Sequence, residues 1–169
     1  MCIVYALGSF TYEKYFSGKY LGELVRLIFT GVLKQLGNSI PKLLLAKDGI
    51  TTKDVSDILS GSSEVKVYDM LDSSDINSIL HHICLIVSER AAVLVGLVVA
   101  SLLNRVERDF TVIAVTGSLY KLHPTLASRL EYHTARLTKQ KFSYKLCDDG
   151  SGKGAGLVAA IANRLEKKK

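Results

Sequence analysis

Phe110-Thr111-Val112-Ile113-Ala114-Val115-Thr116-Gly117-Ser118 decides the fold. The first six residues are apolar or β-branched and read as a buried strand, which Thr116-Gly117-Ser118 breaks. Pro124 stands where a helix would begin, and that helix runs to about Thr138. Phe142 to Leu146 alternates weakly and predicts a second strand. A glycine-rich loop follows, Gly150-Ser151-Gly152-Lys153-Gly154, and then a helix from about Ala155 to Glu166. Strand, helix and strand in this order form a βαβ unit, whose strands are parallel. A sheet this small needs cover on both faces, so it is expected to be tiny or completed from outside these residues. Both glycine motifs follow strands, where ligands of open α/β sheets bind. Without a Cβ, backbone N–H groups there can approach an anion closely.

Upstream the pattern is helical. Tyr20, Leu21, Leu24, Val25, Ile28, Val32 and Leu36 recur at i, i+3, i+4 spacing, predicting a helix from near Ser17 to Leu36, with Gly37-Asn38 as its stop. Asp48 to Ser63 reads as a turn, a short helix capped by Thr51 or Thr52, and a loop at Gly61-Ser62-Ser63. A long helix is expected from Ser74-Asp75 to about Val106. Its apolar run, Ala91 to Leu103, falls short of the roughly 20 residues that span a bilayer, so it reads as a buried helix and not a transmembrane segment.

The 169 residues suffice for one domain, 1–169, with a sizeable core. At 48% hydrophobic and 22% charged, the composition is that of a globular protein. The net charge of +6 is partly concentrated in the tail 164–169, which carries Arg164, Lys167, Lys168 and Lys169. A solvated helix end explains that tail, and no nucleic-acid motif accompanies it, so no nucleic-acid partner is expected. Cys2, Cys84 and Cys147 are far apart, which disfavours a zinc site and suggests reduced thiols in the cytoplasm.

Gly150 to Gly154 fails as a P-loop. The pattern G-x-x-x-x-G-K-S/T needs glycine where Cys147 stands and a hydroxyl where Gly154 stands. His81, His82, His123 and His133 show no metal spacing and read as surface or core residues.

Three stretches resemble the hexokinase family, which includes glucokinase. Tyr12-Glu13-Lys14-Tyr15-Phe16-Ser17-Gly18-Lys19-Tyr20-Leu21-Gly22-Glu23-Leu24-Val25-Arg26 is similar to a family segment of the form FEKMISGxYLGEIVR. Gly117-Ser118-Leu119-Tyr120-Lys121-Leu122-His123-Pro124 resembles G-S/T-L/V-Y-K-L-H-P. Asp149-Gly150-Ser151-Gly152-Lys153-Gly154-Ala155 is the third, and all three follow the family's order. The resemblance implies a partial actin-like ATPase fold, the C-terminal portion of a hexokinase large domain, helix-rich with a small mostly parallel sheet. It implies ATP with Mg2+, the metal held through the nucleotide, and a hexose such as glucose phosphorylated at its 6-hydroxyl.

By the same resemblance Glu13 accepts hydrogen bonds from hexose hydroxyls, a task suited to a carboxylate. Gly18 and Lys19 contact the nucleotide, and Thr52 and Ser56 lie near adenine and ribose. Gly117 and Ser118 hold phosphates, with Leu119, Tyr120, Lys121 and Leu122 continuing that segment. Thr116 and Ser151 belong to the phosphate and glucose 6-phosphate loops. Thr116 stands where the family has aspartate, and Ala6-Leu7-Gly8-Ser9-Phe10 keeps only the glycine of the family's N-P-G-Q-Q. The family's catalytic aspartate, its first phosphate loop and most sugar contacts lie upstream of Glu13. The expectation is therefore a piece of a hexokinase lacking its N-terminal lobe, with no catalytic residue of its own and inactive alone. The alternative is a non-catalytic hexokinase-like binding or regulatory protein.

Overall fold

Ser73 starts the helix around which the chain is built. In the computed structural model, which describes residues 11–62, 65–71, 73–148 and 150–166, its side chain accepts from the Ile76 N–H at 3.3 Å and caps α5, Ser74–Val106. Two short elements and two longer ones precede α5: α1 (Glu13–Phe16), α2 (Gly18–Gln35), α3 (Lys42–Leu45) and α4 (Thr52–Leu59), followed by a 3-10 turn at Tyr68–Met70. After α5 come β1 (Phe110–Val115), α6 (Ser118–Leu122), α7 (Leu126–Leu137), β2 (Lys141–Leu146) and α8 (Gly150–Glu166).

The helix boundaries follow from local chemistry. The Ser17 side chain accepts from the Lys19 N–H at 3.2 Å and starts α2. Gly37, at φ 73°, ends it: Asn38 N–H reaches the Leu33 carbonyl at 3.0 Å and Gly37 N–H the Lys34 carbonyl at 3.1 Å. This paired closure satisfies carbonyls that the helix end would leave orphaned, and glycine adopts the left-handed turn without a Cβ penalty. Gly61 closes α4 the same way, with Ser62 N–H on the Asp57 carbonyl at 3.0 Å. Thr51, not Thr52, caps α4, in a reciprocal box with Asp54.

Leu21, Val25, Phe29 and Leu33 of α2 meet Val55 and Ile58 of α4 and Leu80, Cys84, Val87 and Ala91 of α5 in the main core. Burial pushes the Cys84 thiol up to about 12, so it stays protonated. On the opposite flank Gly96 of α5 packs against α7, where an added Cβ would sit 3.1 Å from the His133 Cβ. α5 is long and apolar enough to cross a membrane by length and composition, further than the Ala91–Leu103 run alone suggests, with a mean hydropathy of 2.2 over its most apolar window. Here α5 runs between α2 and α7, and ten of its residues are buried, among them Ser88 and Gly96.

β1 and β2 pair in parallel from Phe110↔Lys141 to Val115↔Leu146, the arrangement expected for a βαβ unit. Among the described residues they form a two-stranded sheet. Phe110 and Val112 are each 55% exposed, so among the described residues one sheet face lacks cover. The final helix begins five residues earlier than the sequence suggested: Gly150 to Gly154 is the first turn of α8, not a loop. Glycine can enter αR at a cost of about 0.5–1 kcal/mol relative to alanine, and helix propagation from the residues that follow extends α8 back to the end of β2. α1, α3 and α6 are not expected from the sequence; each is a single turn, too short to carry a periodic signal.

Candidate functional site

Thr52 is freed for another task because Thr51 takes the cap. Its hydroxyl donates to the Gly18 carbonyl and accepts from the Gly22 N–H at 3.3 Å. One side chain thereby ties the start of α4 to the first turn of α2. Gly22 permits the close approach: a Cβ there would stand 2.4 Å from the Ile50 carbonyl oxygen and 2.7 Å from the Thr51 Cα.

Against this joint lies α6, reached from β1 through Gly117, whose φ of 126° and ψ of 148° favour glycine. A Cβ on Gly18 would lie 3.4 Å from Leu119 Cδ2. The three segments enclose a cleft of about 450 Å³ lined by Gly18, Thr52, Lys53, Ser56, Asp57, Ser60, Ser118, Leu119 and Leu122. Segments around residues 18, 52–60 and 118–122 thus converge. Leu119 and Leu122 offer an apolar surface, and α4 offers a polar one.

The hydrogen bonds on α4 make acceptors of the serine hydroxyls in that polar wall. Ser56 Oγ donates to the Thr52 carbonyl at 3.2 Å and Ser60 Oγ donates to the Ser56 carbonyl at 2.8 Å. With their protons spent on the helix backbone, both hydroxyls present lone pairs. Asp57 adds a carboxylate, bonded to Lys53 Nζ at 2.5 Å.

The remaining sequence-predicted residues lie elsewhere. Lys19 borders a neighbouring cleft of about 450 Å³ with Tyr20, Glu23, Lys47 and Asp48, its ammonium 5.6 Å from the Tyr20 ring centre. There the Arg26 guanidinium holds the Glu23 carboxyl down at about 2, bridging it at 2.6 and 2.7 Å, and the Asp48 N–H adds a bond at 2.9 Å. Tyr120 turns to Tyr144, ring centres 6.3 Å apart, and Lys121 pairs with Asp148 at 2.8 Å. Gly117 and Thr116 are exposed between β1 and α6. Parallel pairing brings Thr116 beside the start of α8, where a Cβ on Gly150 would be 4.0 Å from the Thr116 Cβ. Ser151 lies in the first turn of α8, and Asp149 and residues 1–10 lie outside the described residues.

Glu13 is exposed on α1, outside the cleft lining. α1 is pinned to α5 by Arg90, which donates to the Tyr15 carbonyl at 2.6 Å, and by Tyr12, whose hydroxyl donates to the Leu94 carbonyl. Ala91 and Ala92 beside Arg90 are buried.

His123 is structural. Its Nδ1 accepts from the Leu126 N–H at 3.2 Å, which leaves the Nε2 proton for Ser88 Oγ at 3.0 Å, and burial lowers its pKa. His133 bonds Glu89 at 2.7 Å across α5 and α7.

Lys53, Asp57 and Ser60 were missed in the sequence. The signal was present: once Thr51-x-x-Asp54 fixes the cap, Thr52, Ser56 and Ser60 fall at i, i+4, i+8 on one face of α4.

The model of the hexokinase family matches residues 6–161. Hexokinase-2 of Equus caballus is 39% identical over 176 residues, a match covering 94% of this chain and 19% of that protein. The hexokinase of Schistosoma mansoni is 33% identical, covering 93% of this chain and 38% of that one. Among solved structures, hexokinase from Schistosoma mansoni complexed with glucose superposes with a TM-score of 0.79 at 32% identity, covering 89% of this chain and 37% of that chain. The chain thus spans well under half the length of these relatives, and its helix-rich architecture with a small parallel sheet is part of the actin-like ATPase fold they share. The chain belongs to the hexokinase family.

Proposed function

We propose that this chain supplies the ATP-holding side of a hexokinase that moves the γ-phosphate of ATP to the 6-hydroxyl of a hexose such as glucose. The observation that carries the reading is the convergence of Gly18, Thr52, Ser56, Ser118, Leu119 and Leu122 on one cleft. The leucines take a base face by apolar contact. Gly117 and Ser118, exposed at the end of β1, face the phosphates without bulky side chains. Glu13, held on α1 by its anchors to α5, accepts from sugar hydroxyls; the glucose complex of the schistosome relative supports a hexose as its partner. Mg2+ arrives on the ATP phosphates, and among the described residues no three His, Cys, Asp or Glu side chains converge to hold it separately.

Phosphoryl transfer also needs a positioned acceptor, a group to take its proton and neutralisation of phosphate charge. By resemblance, the family's catalytic aspartate belongs to the part of the relatives outside this match. The chain as one domain, 1–169, therefore binds nucleotide without turning over. Thr116, in place of the family's aspartate, adds no negative charge beside the phosphates and favours that same outcome. The proposed setting is the cytoplasm, whose reducing conditions suit the free thiols of Cys84 and Cys147.

The test combines incubation with Mg-ATP and glucose and titration of ADP into the chain and its Ser118→Ala variant. Nucleotide binding that weakens in S118A, with no hexose phosphate formed, is expected. Turnover would overturn the claim of incompleteness. Absence of binding would overturn the nucleotide reading, and unchanged affinity in S118A would make Gly117-Ser118 a structural turn only.

A further inference from the structure

The cleft wall on α4 offers lone pairs and no hydroxyl proton. Thr52, Ser56 and Ser60 each donate their proton to a backbone carbonyl, those of Gly18, Thr52 and Ser56. Beside them the Asp57 carboxylate has roughly four lone-pair positions, of which the Lys53 ammonium engages one. Its side chain is 33% exposed, so it is neither sealed into the helix packing nor fully in water. The Lys53 ammonium is the donor of this wall, and its hydroxyl and carboxylate oxygens are acceptors, so a ligand edge that donates is met by Asp57 and the two serine oxygens. Leu119 and Leu122 face the remaining space with apolar surface suited to an aromatic ring.

Resting on the nucleotide reading above, we infer that Asp57 is a specificity-determining residue whose carboxylate accepts a hydrogen bond from the exocyclic amine of the bound base. A base without that amine leaves the carboxylate and the two serine oxygens partly desolvated and unpaired, which is the costly side of hydrogen-bond discrimination.

A ligand–protein cycle tests this on the full chain. ADP and its analogue lacking the amine, purine riboside 5′-diphosphate, are titrated into wild type and Asp57→Ala by calorimetry. Wild type favours ADP by about tenfold, the effect of one charge-assisted hydrogen bond in a half-exposed site. In D57A the two nucleotides bind alike, because neither the hydrogen bond to the amine nor the unpaired carboxylate remains. Lys53→Ala breaks the same ion pair but keeps the carboxylate, and it retains the discrimination. Three results would overturn the inference: an amine preference that survives D57A, an equal loss for both nucleotides in D57A, or a preference that vanishes equally in K53A. If D57A loses affinity for ADP but not for 2′-deoxy-ADP, the carboxylate reads the ribose instead. If wild type binds neither nucleotide, the nucleotide reading itself falls.

Discussion

Replacing Gly22 by alanine places a methyl group inside the joint that shapes the cleft. The new Cβ would lie 2.4 Å from the Ile50 carbonyl oxygen, 2.4 Å from the Thr51 carbonyl carbon and 2.7 Å from the Thr51 Cα, against an ordinary contact of 3.4 Å or more. All three atoms are backbone, so α2 and residues 50–52 must part by about 1 Å. Overpacking of this kind costs about 1–3 kcal/mol. Straining the Thr52 bridge to Gly18 and Gly22 adds about 1 kcal/mol, while the better helix propensity of alanine returns about 1 kcal/mol. The expected net loss is about 1–3 kcal/mol, read as a lower urea midpoint, together with weaker nucleotide binding. Gly31 of the same helix is the internal control. No atom of the described residues lies within 4 Å of its Cβ position, so Gly31→Ala keeps only the propensity gain and stabilises by about 0.5–1 kcal/mol. Opposite signs for G22A and G31A follow from the packing alone. Equal signs, or a G22A chain as stable as wild type, would refute the close approach of α2 to the start of α4.

Thr52→Val keeps the shape but removes the hydroxyl, leaving the Gly18 carbonyl and Gly22 N–H without that partner; a loss of about 1 kcal/mol in chemical unfolding, together with weaker ADP binding, is expected. Glu23, held at about 2 by Arg26 against an ordinary 4.5, contributes stability that is complete above pH 4.5 and lost as pH falls toward 2. The stability gap between wild type and Glu23→Gln should therefore shrink across that window, and a gap constant with pH would contradict the ion pair. Phe110 and Val112 leave an apolar sheet face open, so Val112→Lys should raise the monomer fraction in light scattering, and unchanged association would place the sticky surface elsewhere.

Much of this architecture is legible in the residues because local chemistry sets it. Ser17, Thr51 and Ser73 cap helices, Gly37 and Gly61 end them, and a β-branched run at Phe110–Val115 makes the strand. The parallel pairing follows from a helix between two strands. What was hidden depended on tertiary choice. Glycine fits a turn and a helix alike, so the residues Gly150 to Gly154 could not reveal that α8 begins there. Two adjacent threonines competed for one cap, and only the Asp54 side chain decided that Thr52 would face Gly18 instead. Motif resemblance names single positions, so it marked Tyr120 and Lys121, which turn toward Tyr144 and Asp148, and passed over Asp57 and Ser60, which line the cleft.

Three segments distant in sequence are proposed to form one nucleotide cleft. Amide chemical shifts recorded while ADP is added to the labelled chain test it most directly. Concerted changes are expected at Gly18 and Lys19, along Thr52 to Ser60, and from Ser118 to Leu122, all fitting one dissociation constant. Changes confined to one of these segments, or centred on the first turn of α8 at Gly150 to Gly154, would contradict it.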